Sequence, residues 1–177
     1  LLNMGFEGGV VVDNQPLGWT VPPAEFALVT GLTGFGLAGR ITGDGSGANK
    51  GLISQTAYQN YLFQPIVQPN TQYSFYCMAK ASAAGLAGNL IAELFSASSG
   101  SLATATIAIN TIATTAGLFY SAAFSAKTPA VIPTDTILRI YENGLNNLAT
   151  ITYDEAMIVF TTQPYASSHP SRHHIPG

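Results

Sequence analysis

Gln72-Tyr73-Ser74-Phe75-Tyr76-Cys77-Met78-Ala79-Lys80 is the stretch that decides the fold. Tyr73, Phe75, Cys77 and Ala79 alternate with Ser74, Tyr76, Met78 and Lys80. In an extended chain, successive side chains point to opposite faces. The run therefore predicts a strand with Tyr73, Phe75, Cys77 and Ala79 in a core and the other set turned outward. Gln68-Pro69-Asn70-Thr71, just before it, has the chemistry of a turn.

The same period of two recurs on both sides. Upstream, Asn60 to Val67 reads as a strand, with Pro65 marking an edge or a bulge because proline donates nothing to a ladder. Gly31 to Gly51 is Gly-rich and weakly periodic. It predicts one short strand around Phe35 to Ile41, then a long loop. Downstream, strands are predicted over Asn89 to Ala97, Ala103 to Thr111, Gly117 to Ala126, Thr136 to Glu142 and Thr150 to Thr161. Ser98-Ser99-Gly100-Ser101 turns the first two into a hairpin, and Asn143-Gly144 starts the connection between the last two. Ala81 to Leu86 is alanine-rich, but Gly85 and Gly88 interrupt it and no amphipathic face exists, so it reads as a loop. Many short strands with Gly and Pro punctuation and no helical stretch predict an all-β, antiparallel jelly-roll β-sandwich. A single domain is expected over residues 1–162. Residues 163–177, with three prolines and three histidines, read as a tail or linker.

Composition narrows the function. The 177 residues are 47% hydrophobic but only 8% charged, against roughly 25% charged in an average soluble protein. Solubility must come from Ser, Thr, Asn, Gln and Gly, which suits an extracellular β-protein or a subunit whose sides neighbours cover. The net charge is −3, with six scattered cations. Nucleic-acid binding needs clustered Lys and Arg and is not expected. No apolar run approaches the roughly 20 residues that span a bilayer, so no membrane insertion is expected. The start Leu1-Leu2-Asn3, without Met, reads as a processed product or an excised fragment. Cys77 is the only cysteine, so no internal disulfide forms, and its place in the decisive run predicts a buried, inert thiol.

Three groups of residues bookend and punctuate these strands. Asn3, Gly5, Phe6 and Glu7 precede Trp19; Gln64 and Pro69 precede Tyr73, Phe75 and Ala79; Tyr153, Asp154 and Glu155 open the end of the last strand. Their order and spacing resemble those of jelly-roll carbohydrate-binding modules of the galactose-binding-like group, over residues 1–162. The resemblance implies a non-catalytic module and a structural calcium ion between the first and last strands. Carried over, Glu7 and Asp154 would bind that ion by side chain, and carbonyls near Asn49, Lys50 and Gly51 would complete it. Calcium takes six to eight oxygens and mixes carbonyls with carboxylates readily. The plainer alternative is that Glu7 and Asp154 accept backbone N–H bonds and hold the termini together. Asp44, within Gly43-Asp44-Gly45-Ser46-Gly47, reads as a turn residue.

Alternation also nominates a ligand face. If Leu138 and Ile140 are core, Arg139 and Tyr141 turn outward, and Tyr76 turns outward opposite Phe75. Glu93, between Ala92 and Leu94, joins them, and Gln64 completes a polar and aromatic face suited to a sugar. The alternatives are an ordinary solvated face or an interface with another subunit. Trp19 reads as core or rim. His169, His173 and His174 lie in the tail, which denies Cys77 or any serine a catalytic partner; no enzyme is expected. Two readings of function follow. One is a module of a secreted or virion-surface protein that tethers to a polysaccharide or cell-surface glycan. The other is a structural module of a viral particle, such as a phage fibre, tail or capsid-decoration protein, that packs against copies of itself or other subunits.

Overall fold

Nine strands account for nearly all the regular structure in the computed structural model, which describes residues 19–20, 23–34, 36–57 and 67–160. In chain order they are β1 (Phe26–Thr30), β2 (Leu37–Thr42), β3 (Asn49–Thr56), β4 (Tyr73–Ala81), β5 (Asn89–Ser96), β6 (Gly100–Ala108), β7 (Leu118–Ala123), β8 (Thr136–Asn143) and β9 (Thr150–Phe160). Among the described residues the one helical element is a 3₁₀ turn, Ile109–Thr111. The strands form a five-stranded sheet in the order β1-β2-β9-β4-β7 and a four-stranded sheet in the order β3-β8-β5-β6. Every pairing is antiparallel. The architecture is the expected jelly-roll β-sandwich.

The core lies between the sheets. Phe75, Cys77 and Ala79 of β4, Leu138 and Ile140 of β8, and Leu90 and Ala92 of β5 are fully buried. The strand phase read from the decisive run is therefore correct. Tyr73 (2% exposed) also belongs to this core, and its hydroxyl accepts the Gln68 N–H at 2.7 Å. Trp19 is a core residue. Burial pushes the Cys77 thiol up to about 12, so it stays protonated and inert at neutral pH.

Two strands lay hidden in the sequence. β1 is short, and β3 lies where the long loop was expected. Gly51 explains the second. Its φ is +64°, and an added Cβ would lie 2.4 Å from the Ile41 side chain. The glycine lets β3 bulge between Lys50 and Ile53 while pressing on β2 of the other sheet. A glycine in a strand reads as a break by pattern, although here it marks a close backbone approach. The strand from Asn60 to Val67 and the tail from 163 onward lie outside the described residues, except Val67, which is buried.

A bulge also reshapes β9. Its register against β4 shifts between Tyr76 and Met78, and Glu155 has φ +50°. Ile151 and Tyr153 face the core before the bulge and Ala156 faces it afterwards, which interrupts the simple alternation. Tyr153 packs edge-on against Phe26 at 6.5 Å between ring centroids. Asp154 pairs with Met78 and so stands on the outer face of the five-stranded sheet.

Candidate functional site

Glu93, Arg139 and Tyr141 meet on the outer face of the four-stranded sheet. β5 pairs with β8 so that Glu93 lies directly opposite Arg139 and Ile91 opposite Tyr141. Because Leu138 and Ile140 are held in the core, Arg139 and Tyr141 are turned away from it. Arg139 Nη2 and Nε donate to Glu93 Oε2 at 2.5 and 3.1 Å. The Tyr141 hydroxyl donates to the same oxygen at 3.2 Å. The Arg139 guanidinium also lies 3.5 Å above the centre of the Phe95 ring. Such stacking adds to the ion pair because the ring face carries a negative quadrupole.

The cluster is largely shielded: Glu93 is 4% exposed and Tyr141 6%. Burial, with the Glu93 carboxylate adding to it, pushes the Tyr141 phenol up to about 12. Tyr141 is thus a neutral donor that orients Glu93, not an open ring on which a sugar stacks. Three donors crowd one oxygen of Glu93. Among the described residues Glu93 Oε1 and Arg139 Nη1 take part in no hydrogen bond. An acceptor on Glu93 and a donor on Arg139 are the two functions that sugar hydroxyls complement. Phe95 was missed in the sequence, although its place two residues after Glu93 puts it on the same face.

Tyr76 does not belong to this site. It lies in β4, in the five-stranded sheet, whereas Glu93, Arg139 and Tyr141 lie in the four-stranded sheet. The alternation correctly gave an outward Tyr76 but carried no information on which sheet β4 joins. β4 pairs with β7 and β9, and Tyr76 stands opposite Ser121 and Met157. Gln64 lies outside the described residues.

The expected calcium donors are divided in the same way. Asn49, Lys50 and Gly51 begin β3, in one sheet, and Asp154 stands on the outer face of the other. Asn49 Oδ1 accepts from Asn143 Nδ2 at 2.9 Å. The Lys50 ammonium sits 2.7 Å from Asp44 Oδ2 and 3.7 Å from Glu25 Oε1. A fixed cation already neutralises the acids there. Asp44 also accepts the Ser46 N–H at 2.9 Å, as a turn residue does. The Lys50 hydrogen bond, with those from Ser46, holds its carboxyl well below the usual carboxylate range. Asp154 Oδ1 accepts the Glu155 N–H at 2.8 Å, and Oδ2 the Leu32 N–H at 3.3 Å. Asp154 therefore ties the Gly31–Gly36 turn to β9. Among the described residues no three His, Cys, Asp or Glu side chains cluster as a metal site. Glu7 lies outside the described residues, as do His169, His173 and His174.

No family model matches the chain, and no curated protein matches it significantly. Solved structures do resemble it. An arabinose-bound GH51 α-L-arabinofuranosidase superposes over 89% of this chain at TM-score 0.63 and 12% identity. The chain spans only about a quarter (26%) of that protein. A CBM22-1 xylan-binding domain from Xyn10C of Paenibacillus barcinonensis matches over 92% of this chain and 95% of its own, at TM-score 0.54 and 16% identity. A CBM4 module matches over 84% and 98%, at TM-score 0.52 and 17% identity. At these identities the likeness is one of fold. The chain has the β-sandwich fold of carbohydrate-binding modules, over nearly the whole length of the modules it matches.

Proposed function

We propose that this chain is a non-catalytic, extracellular glycan-binding module that reads sugar hydroxyls with Glu93 and Arg139. The observation that carries the reading is the fixed Glu93–Arg139–Tyr141 cluster on the outer face of the four-stranded sheet, with one carboxylate oxygen and one guanidinium nitrogen unbonded among the described residues. The shared fold supports it, because full-length matches are themselves carbohydrate-binding modules. Retention on insoluble xylan and cellulose tests it. The wild-type chain should be retained on at least one of them, and Arg139→Lys, which keeps the charge but loses the fork, should be released. Equal retention of both proteins would remove Arg139 from the site.

Calcium enters the proposal as an ion held by Asp154 together with Glu7. Chelation should lower the melting temperature, since a ligand of the folded state stabilises it by mass action. No metal by elemental analysis and an unchanged melting curve would leave Asp154 as a tether alone.

A second reading, an assembly module of a viral particle, is favoured by one observation. β7 ends its sheet among the described residues, and it exposes Leu118 (51%) and Phe119 (48%). Paired sheet edges are a common route to association. A stable oligomer that Phe119→Ser dissociates would favour this reading; a monomer would favour the first.

A further inference from the structure

Arg40 of β2 and Lys80 of β4 both face Thr152 of β9, which runs between them. Strands lie about 4.8 Å apart, so the two backbones are separated by about 10 Å, and both long side chains can converge above Thr152. They line a pocket of about 230 Å³ on the outer face of the five-stranded sheet, together with Thr30, Val29 and Leu32. Among the described residues, neither cation has an ion-pair partner. The chain has only six Lys and Arg, and two of them flank one threonine with no ion-pair partner among the described residues. Asp154 stands on the same face, two residues along β9. It is 2% exposed and already accepts two backbone N–H bonds. Among the described residues the exposed rim is therefore positive.

We propose that this pocket binds the carboxylate of an acidic sugar residue, a hexuronate, as a second subsite of the glycan-binding reading above, on which it rests. Arg40 supplies a planar fork that matches a carboxylate in two parallel hydrogen bonds, and Lys80 a point charge beside it. Thr152 and Thr30 offer hydroxyls to the ring. Val29 and Leu32 give an apolar wall for its C–H face. Size argues against a bare inorganic anion. A water takes about 30 Å³ of liquid, so 230 Å³ holds far more than one small ion. The site lies on the sheet opposite Glu93 and Arg139, so the two can be tested separately.

Calorimetric titration of the full chain with tri-galacturonic acid, at low and at physiological salt, tests the proposal. Xylohexaose and inorganic sulfate serve as the neutral and bare-anion arms. The acidic trimer should bind, more weakly as salt rises, because exposed charges are screened. Arg40→Gln with Lys80→Gln should cut that affinity at least about tenfold. The same pair should leave the melting temperature and any xylohexaose binding unchanged. Thr152→Val should weaken the acidic trimer alone. Acidic binding that survives the double change, or no acidic binding at all, would overturn the pocket, whatever the neutral sugar does at Glu93. Sulfate that competes as well as the trimer would overturn the assignment to a sugar carboxylate. A wild-type chain that binds the acidic trimer but not xylohexaose would count against the Glu93 site and leave the pocket standing.

Discussion

At the scale of single residues, two buried carboxylates behave differently because their partners differ. Glu93 is neutralised by Arg139 across the strand pair, with side chains 5% and 20% exposed. Removing one member of a shielded pair strands the other, which costs about 3–5 kcal/mol. Arg139→Ala should therefore destabilise the fold by about 3 kcal/mol, near the lower end because Arg139 is partly solvated. Glu93→Leu with Arg139→Met should recover most of that loss in denaturant titration. A double variant no more stable than Arg139→Ala would mean that the stranded charge is not the cause. Glu142, 1% exposed, has only the Leu145 N–H at 2.8 Å as a direct partner among the described residues. Burial, then the charge of Asp44, raises its carboxyl above the usual range of 4.5, although Leu145 and Lys50 pull the other way. A carboxyl raised by folding favours the folded state below the unfolded value and loses that contribution as pH rises through the folded one. Glu142→Gln keeps the acceptor without the charge. It should raise the melting temperature at pH 7, and the gain should vanish below about pH 4.5. A gain that is the same at both pH values would contradict this.

Strands were legible where their pattern was plain and hidden where glycine or a bulge broke it. β4, β5, β8 and β9 start within one residue of their expected starts. Alternation is a local property of the backbone, and no turn or contact is needed to read it. β3 was missed because Gly51 interrupts its pattern, and the reason for that glycine is Ile41, ten residues away and in the opposite sheet. For the same reason Glu93, Arg139 and Tyr141 were legible as a set, while the placement of Tyr76 with them was not. The face of each residue follows from its own strand, but the sheet that strand joins follows from long-range pairing. Gly51→Ala tests the argument for β3. Both the positive φ and the 2.4 Å approach to Ile41 oppose a Cβ, and such strain costs about 1–3 kcal/mol. Phe75→Ala, in the fully buried centre of β4, should cost about 3–5 kcal/mol. Losses under about 1 kcal/mol at either position would place these residues away from the contacts described.

For the whole molecule, the sandwich separates two outer faces with different chemistry. The four-stranded sheet carries a matched acid–base pair on an aromatic ring, fixed before any ligand arrives. The five-stranded sheet carries two cations, without ion-pair partners among the described residues, over a small pocket, and an exposed apolar edge at β7. A preformed pair of donor and acceptor pays little ordering entropy on binding, which suits recognition of a weakly held, uncharged polymer. On the proposed reading, the first face recognises neutral sugar hydroxyls. Isothermal titration of the wild-type chain and of Glu93→Gln with xylo- and cello-oligosaccharides tests it most directly, with both proteins checked to be folded by their melting curves. The wild type should give a measurable heat of binding with at least one of these sugars, and Glu93→Gln an affinity at least about tenfold weaker. Equal binding by the two proteins, or no binding by the wild type to any of these sugars, would contradict it.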